Sequence, residues 1–186
     1  MPHSPFLGLV PLGPVDLKIL RDLRPVIADF FSLPVLILPV KPLPPRSYHL
    51  VRDQYYSTQL LEYLLAGEGQ DEPFRVLGIT AVDLYIPIFT FVFGEAQLDG
   101  KAAIISTFRP GESASNLRPP RPLFLERLIK LSVHELGHTF GLGHCRQPGC
   151  LMHFAANLEK LDQTHLEFCE YCRILLDDYF NRATDL

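Results

Sequence analysis

Residues 134–144 read His134-Glu135-Leu136-Gly137-His138-Thr139-Phe140-Gly141-Leu142-Gly143-His144. His134 and His138 are four positions apart, so on a helix they project from one face, one turn apart. Two imidazoles at that spacing can grip one Zn²⁺ with bonds of about 2.0–2.1 Å. Glu135 sits about 100° round the helix, offset from the ligand line, where it can reach a water at the metal rather than the metal itself. Gly141 tolerates a positive φ, so the chain can leave the helix sharply and return His144 to the same ion. Three neutral histidines leave the fourth corner of a tetrahedral zinc open, the mark of a catalytic rather than a structural site. The plain alternative is a helix with two surface histidines and a glycine stop. Chance produces the full spacing in about one chain in ten thousand, which favours the metal reading.

All four cysteines follow closely, at Cys145, Cys150, Cys169 and Cys172. Pairs spaced Cys-x₄-Cys and Cys-x₂-Cys can close a tetrahedral S₄ shell around a second, structural zinc with Zn–S of about 2.3 Å. Free buried thiols and two disulfides are the other readings. A different division of ligands also stays open, with Cys145 replacing His144 at the first zinc and three cysteines left for the second.

Outward from this region, composition narrows the class. The chain is 47% hydrophobic and 20% charged, ordinary for one globular domain and too apolar for disorder. A net charge of −4 argues against a domain that wraps nucleic acid. Only Arg146 and Lys160 carry positive charge between Cys145 and Cys172, which disfavours a zinc-ribbon nucleic-acid module. The apolar run at 30–40 is too short for a membrane span of about 20 residues and is broken by Pro34 and Pro39. The N-terminus has no basic n-region, so the expectation is a cytoplasmic chain with reduced thiols.

Periodicity and turn signals predict strands at 6–10, 35–40, 75–80, 89–96 and 102–107. Asp99-Gly100 between the last two marks an antiparallel hairpin. Helices are expected from Pro14 towards Phe31 with an interruption at Pro25, over 58–66 with a stop at Gly67 and Gly69, over 123–140, and over 164–181. Residues 110–122, rich in Pro, Gly, Ser and Asn, read as a loop. Helices alternating with strands indicate an α/β layer on a mostly parallel sheet.

H-E-x-x-H-x-x-G-x-x-H is the zinc signature of the metzincin metallopeptidases. With Cys145 directly after His144, then Cys150, Met152 and the pair Cys169 and Cys172, the sequence resembles the archaemetzincin family specifically. Sixteen residues separate Met152 from Cys169, one fewer than in the family pattern. The resemblance implies an α/β metzincin-like zincin fold. Its mixed twisted β-sheet and helices lie above an active-site cleft, over a small helical C-terminal subdomain stapled by zinc. It implies one metallopeptidase domain over 1–186, with residues 1–143 as upper subdomain and 144–186 as lower. It implies a catalytic zinc on His134, His138 and His144, Glu135 as general base, and a structural zinc on the four cysteines, two Zn²⁺ per chain. Met152 matches the methionine of the family's Met-turn; on its own it would read as a core methionine. In metzincins the strand matching 89–96 forms the upper rim of the cleft, so Gly94, Glu95 and Ala96 would contact substrate backbone. The residues alone leave an interior strand of the sheet as the other reading. The expected partner is a peptide or protein substrate, with no nucleic acid or membrane, and the chain is expected to be a monomer. A metzincin-fold zinc protein with little or no peptidase activity is the alternative.

Overall fold

The computed structural model describes residues 5–66, 72–112 and 118–184. The helix stop assigned to Gly67 and Gly69 and the middle of the 110–122 loop lie outside them. Strand β1 (Leu7–Leu12) leads through α1 (Leu17–Phe31) to β2 (Val35–Ile37). A small three-stranded sheet follows, β3 (Tyr48–His49), β4 (Gln54–Tyr56) and later β6 (Leu84–Tyr85), none of which the sequence pattern indicates. Helix α2 (Ser57–Leu65), β5 (Arg75–Thr80), β7 (Gly94–Ala96), β8 (Ala102–Ser106) and α3 (Arg121–Thr139) complete the upper part. Below lie α4 (Leu158–Gln163) and α5 (Glu170–Thr184).

The main sheet has the order β2-β1-β5-β8-β7, its first four strands parallel and β7 antiparallel to β8. Strands β1, β5 and β8 are buried throughout, as expected for a parallel sheet covered on both faces. One face packs Leu9, Ile79 and Ile105 against Leu20, Leu23 and Ile27 of α1 and Leu128 and Val133 of α3. The other packs Val10, Val76 and Ile104 against Leu60, Leu61 and Leu64 of α2. This is the mixed sheet with an antiparallel hairpin around Asp99, whose φ is +51°, and Gly100.

Four expectations on element limits are corrected. Helix α1 runs through Pro25, because that residue is exposed and water can satisfy the carbonyl the proline leaves without a donor. Strand β2 ends at Ile37; beyond it Leu38 still donates to the Leu9 carbonyl, but Pro39 cannot continue a ladder. The 89–96 strand shrinks to β7, because the carbonyls of Phe89 and Thr90 accept from Arg52 and the Thr90 carbonyl also accepts from Gln54. The last helix begins at Glu170 rather than Thr164, since His165 donates to the Gly149 carbonyl and Glu167 accepts from the Leu151 amide.

Candidate metal centres

Helix α3 carries His134 and His138 on one face, with Leu128, Leu131 and Val133 buried in the core. It ends in a Schellman motif: Leu142 N–H donates to Gly137 O at 3.1 Å and Gly141 N–H to His138 O at 2.9 Å. Gly141 has φ of +82°, the left-handed conformation this motif needs. The turn brings His144 beside the helical pair, with ring centroids 5.3 Å from His134 and 4.8 Å from His138. One nitrogen from each of the three lies within 4.8 Å of the others.

The donor chemistry fits a cation. His134 Nδ1 lies 2.8 Å from the Leu151 carbonyl and His138 Nδ1 lies 2.6 Å from the Leu142 carbonyl. A ring nitrogen facing a carbonyl must carry the proton, so in each neutral ring Nε2 is a bare lone pair. Those two Nε2 atoms stand 3.1 Å apart with no hydrogen to share. Tetrahedral zinc with bonds of about 2.05 Å holds neighbouring nitrogens about 3.3 Å apart. Burial first, and then the neighbouring His138, drives the His134 imidazole down to about 3; burial also lowers His138 and His144. All three rings are therefore neutral at pH 7, as metal binding requires.

Glu135 is 8% exposed. Burial, and then the charge of Glu95, raise its carboxyl to about 8 in the metal-free protein. Gly94 lies directly behind it. A Cβ at that position would stand 2.8 Å from Glu135 Cγ and 2.9 Å from Oε1. Beneath α3, Met152 is 0% exposed, and a Cβ on Gly137 would meet its Sδ at 2.7 Å. Glycine at 137 thus lets the methionine pack directly under the helix between the two ligands. Cys145 N–H donates to the Met152 carbonyl at 2.8 Å, tying the turn to the segment that carries the third histidine.

The four cysteines form a separate cluster whose sulfurs lie within 4.8 Å of one another. Cys145 and Cys169 are 3.7 Å apart and Cys150 and Cys172 3.8 Å. A disulfide needs about 2.05 Å, whereas the edge of a ZnS₄ tetrahedron with bonds of about 2.3 Å is about 3.8 Å. The one-residue difference in the 153–168 connection does not prevent this gathering. Burial pushes the Cys150 and Cys172 thiols up, so a cation is what would keep them as thiolates. Cys145 groups with the sulfurs and His144 with the imidazoles, contrary to the exchanged assignment.

β7 is an edge strand. The bonds Ser106 N–H to Phe93 O and Gln97 N–H to Ala102 O put the odd-numbered residues into hydrogen-bonded pairs with β8. By the alternation of an antiparallel ladder, Gly94 and Ala96 turn their N–H and C=O groups to the open edge, whereas Glu95, expected to offer its backbone there too, directs its own to Ile104 instead. Its side chain is held on the other face by Ser57 and Thr58.

The profile of peptidase family M54 matches residues 20–178. The chain belongs to the archaemetzincins, peptidase family M54. It is 42% identical to an archaemetzincin of Methanopyrus kandleri over 141 residues, 76% of each chain. The crystal structure of archaemetzincin from that organism aligns with a TM-score of 0.85 and 34% identity, covering 98% of this chain and 99% of the other. A zinc-dependent peptidase of Methanocorpusculum labreanum aligns with a TM-score of 0.80 and 28% identity, covering 91% and 99%. The protein is accordingly a metallopeptidase with the metzincin-like α/β fold.

Sequence reasoning missed the parts of this archaemetzincin that hold the ligands in place. The orienting carbonyls of Leu151 and Leu142 carry no side-chain signal. Arg127, two turns before His134 on the same side of α3, grips Asp162 through two bonds of 2.7 and 2.6 Å and donates to the carbonyls of Pro110 and Glu112. Lys130, 2% exposed, reaches the carbonyls of Leu161 and Asp162 at the end of α4 and pairs with Glu126. A charged pair at 127 and 130 inside an apolar helical pattern was the available signal.

Proposed function

We propose that this archaemetzincin hydrolyses peptide bonds with Glu135 as general base and binds two Zn²⁺ per chain. His134, His138 and His144 would hold the catalytic ion, and Cys145, Cys150, Cys169 and Cys172 the structural one. Bound zinc supplies Lewis acidity and an open coordination position. Glu135 takes a proton from the attacking water and later delivers it to the leaving amine. Its burial keeps bulk water from competing for that proton. An extended substrate lies along β7 and pairs with the outward groups of Gly94 and Ala96. Met152 supports the histidine ligands from below.

The observation that carries this reading is the pair of Nε2 atoms 3.1 Å apart, in rings whose Nδ1 atoms face carbonyls, with a buried carboxyl group on the residue after His134. We read the chain as a monomer of one domain, 1–143 above the cleft and 144–186 below. Among the described residues no helix is long and apolar enough to cross a membrane. The net charge of −4 supports a peptidase without nucleic-acid partners. Glu135→Ala is expected to keep stoichiometric zinc and lose peptide cleavage; undiminished turnover would remove the base from the mechanism. Peptides trimmed to one residue on each side of the scissile bond are expected to be cleaved more slowly, and equal efficiency would count against pairing along β7.

A further inference from the structure

Strand β7 is only three residues long and pairs on one side, with β8. So short an edge is weakly held by its own ladder. Yet its two faces touch quite different things. On the α3 side Gly94 lies so close to Glu135 that an added Cβ would fall within 2.9 Å of the carboxylate oxygen and 2.6 Å of the Ile104 carbonyl oxygen. On the opposite side, Thr58 Oγ1 donates to Glu95 Oε1 at 2.8 Å and Ser57 Oγ donates to Oε2. Ser57 and Thr58 open α2, whose N-cap residue Tyr56 makes no side-chain capping bond. The Glu95 carboxylate therefore sits at the positive end of that helix. The helix is itself anchored by the buried Leu60, Leu61 and Leu64.

We propose that Glu95 is a positioning residue: tied to α2 by Ser57 and Thr58, it pins β7 so that Gly94 backs the Glu135 carboxylate and the free groups of Gly94 and Ala96 keep their register. Glu95 makes no bond to the base or to the substrate backbone in this arrangement, although its charge adds to the raising of the Glu135 carboxyl. It acts through the strand, and this role rests on the hydrolase reading given above. The requirement for glycine at 94 and the requirement for an anchor at 95 are then two halves of one device. A side chain at 94 is damaging only while the strand cannot retreat.

The test compares Gly94→Ala, Glu95→Ala, Glu95→Gln and the Gly94→Ala/Glu95→Ala double variant as full-length, zinc-loaded chains. Activity is read on a fluorogenic peptide that the wild type cleaves, with metal content measured beside it. Gly94→Ala is expected to lower kcat by about 100-fold, the cost of a displacement near 1 Å. Adding the same change to Glu95→Ala is expected to lower kcat by less than about 5-fold, because contacting residues couple. Glu95→Gln, which keeps an acceptor for Thr58, is expected to restore most of the Glu95→Ala loss. Independent, multiplying effects of the two alanines would overturn the proposal, as would a glutamine no better than alanine. Hydrogen exchange gives a readout that does not need turnover. The amides of Gln97 and Ser106 are expected to exchange at least about 10-fold faster in Glu95→Ala, and unchanged protection would refute the anchor. A zinc-loaded wild type that cleaves no peptide would sink the hydrolase reading, while the exchange result would still decide whether Glu95 holds the strand.

Discussion

Replacing Arg127 by alanine should loosen the lower part of the molecule from the active-site helix. The guanidinium makes two bonds to Asp162, at 2.7 and 2.6 Å, and donates to Pro110 O at 3.0 Å and Glu112 O at 3.1 Å. Its side chain is 8% exposed and that of Asp162 32%. Removing one partner of a fully buried pair costs about 3–5 kcal/mol. Water can reach Asp162, so part of that loss is recovered and about 2–3 kcal/mol is expected. For a domain of this size each kcal/mol moves Tm by about 2–4 °C, so melting should fall by about 4–12 °C. Calorimetry of the zinc-loaded protein at pH 7 checks this. A double-mutant cycle with Asp162→Asn should show coupling of at least about 1.5 kcal/mol, the scale of a charge-assisted bidentate pair. A shift below about 1 °C, or strict additivity, would refute the idea that this pair clamps α4 to α3.

The remaining expectations follow from the metal sites. Metal analysis should find two zinc ions in the wild type, one in His138→Ala and one in Cys172→Ser; loss of both ions from either variant would mean the clusters are not independent. In the metal-free chain the Glu135 carboxyl is raised to about 8, above the 4.5 of the unfolded chain. A raised pKa favours the fold below pH 4.5 and is lost as pH climbs through 8, so Glu135→Gln should stabilise the metal-free protein by about 3 kcal/mol at pH 7 and by nothing below pH 4.5. Denaturant titrations at the two pH values test that, and a glutamine variant less stable at pH 7 would contradict the burial argument. His134, lowered to about 3, works the opposite way: its neutral, folded state loses about 2 kcal/mol as the metal-free chain is taken from pH 7 to pH 5. The Glu135→Gln variant should display that loss free of the opposing carboxylate, and a flat profile would argue against three neutral imidazoles. Gly141→Ala meets no atom closer than 4.0 Å, so only the strain of φ +82° acts. It should cost about 1–2 kcal/mol while zinc is retained, and loss of metal would mean the turn does more than place His144.

How far the sequence could be read depends on distance along the chain. His134, Glu135 and His138 lie within one helical turn or so, and Gly141 starts the turn to His144, so helical geometry alone organises that site. The cysteine pairs are likewise local, although their meeting across the 153–168 connection is a tertiary event. Strands β5 and β8 were legible because burial on both faces demands a continuous apolar run. The small sheet, the shortened β7 and the start of α5 were not, because their backbone partners are carbonyls and amides many residues away, and a backbone group has the same identity in every residue. The contact of Gly94 with Glu135, the tie from Glu95 to Ser57 and Thr58, and the grip of Arg127 on Asp162 belong to the same class. The residues that could hold each metal are thus written in local spacing. The tautomers of the histidines, the burial of the base and the height of the edge strand beside it are fixed only when distant segments pack, since each depends on which backbone or carboxylate arrives alongside.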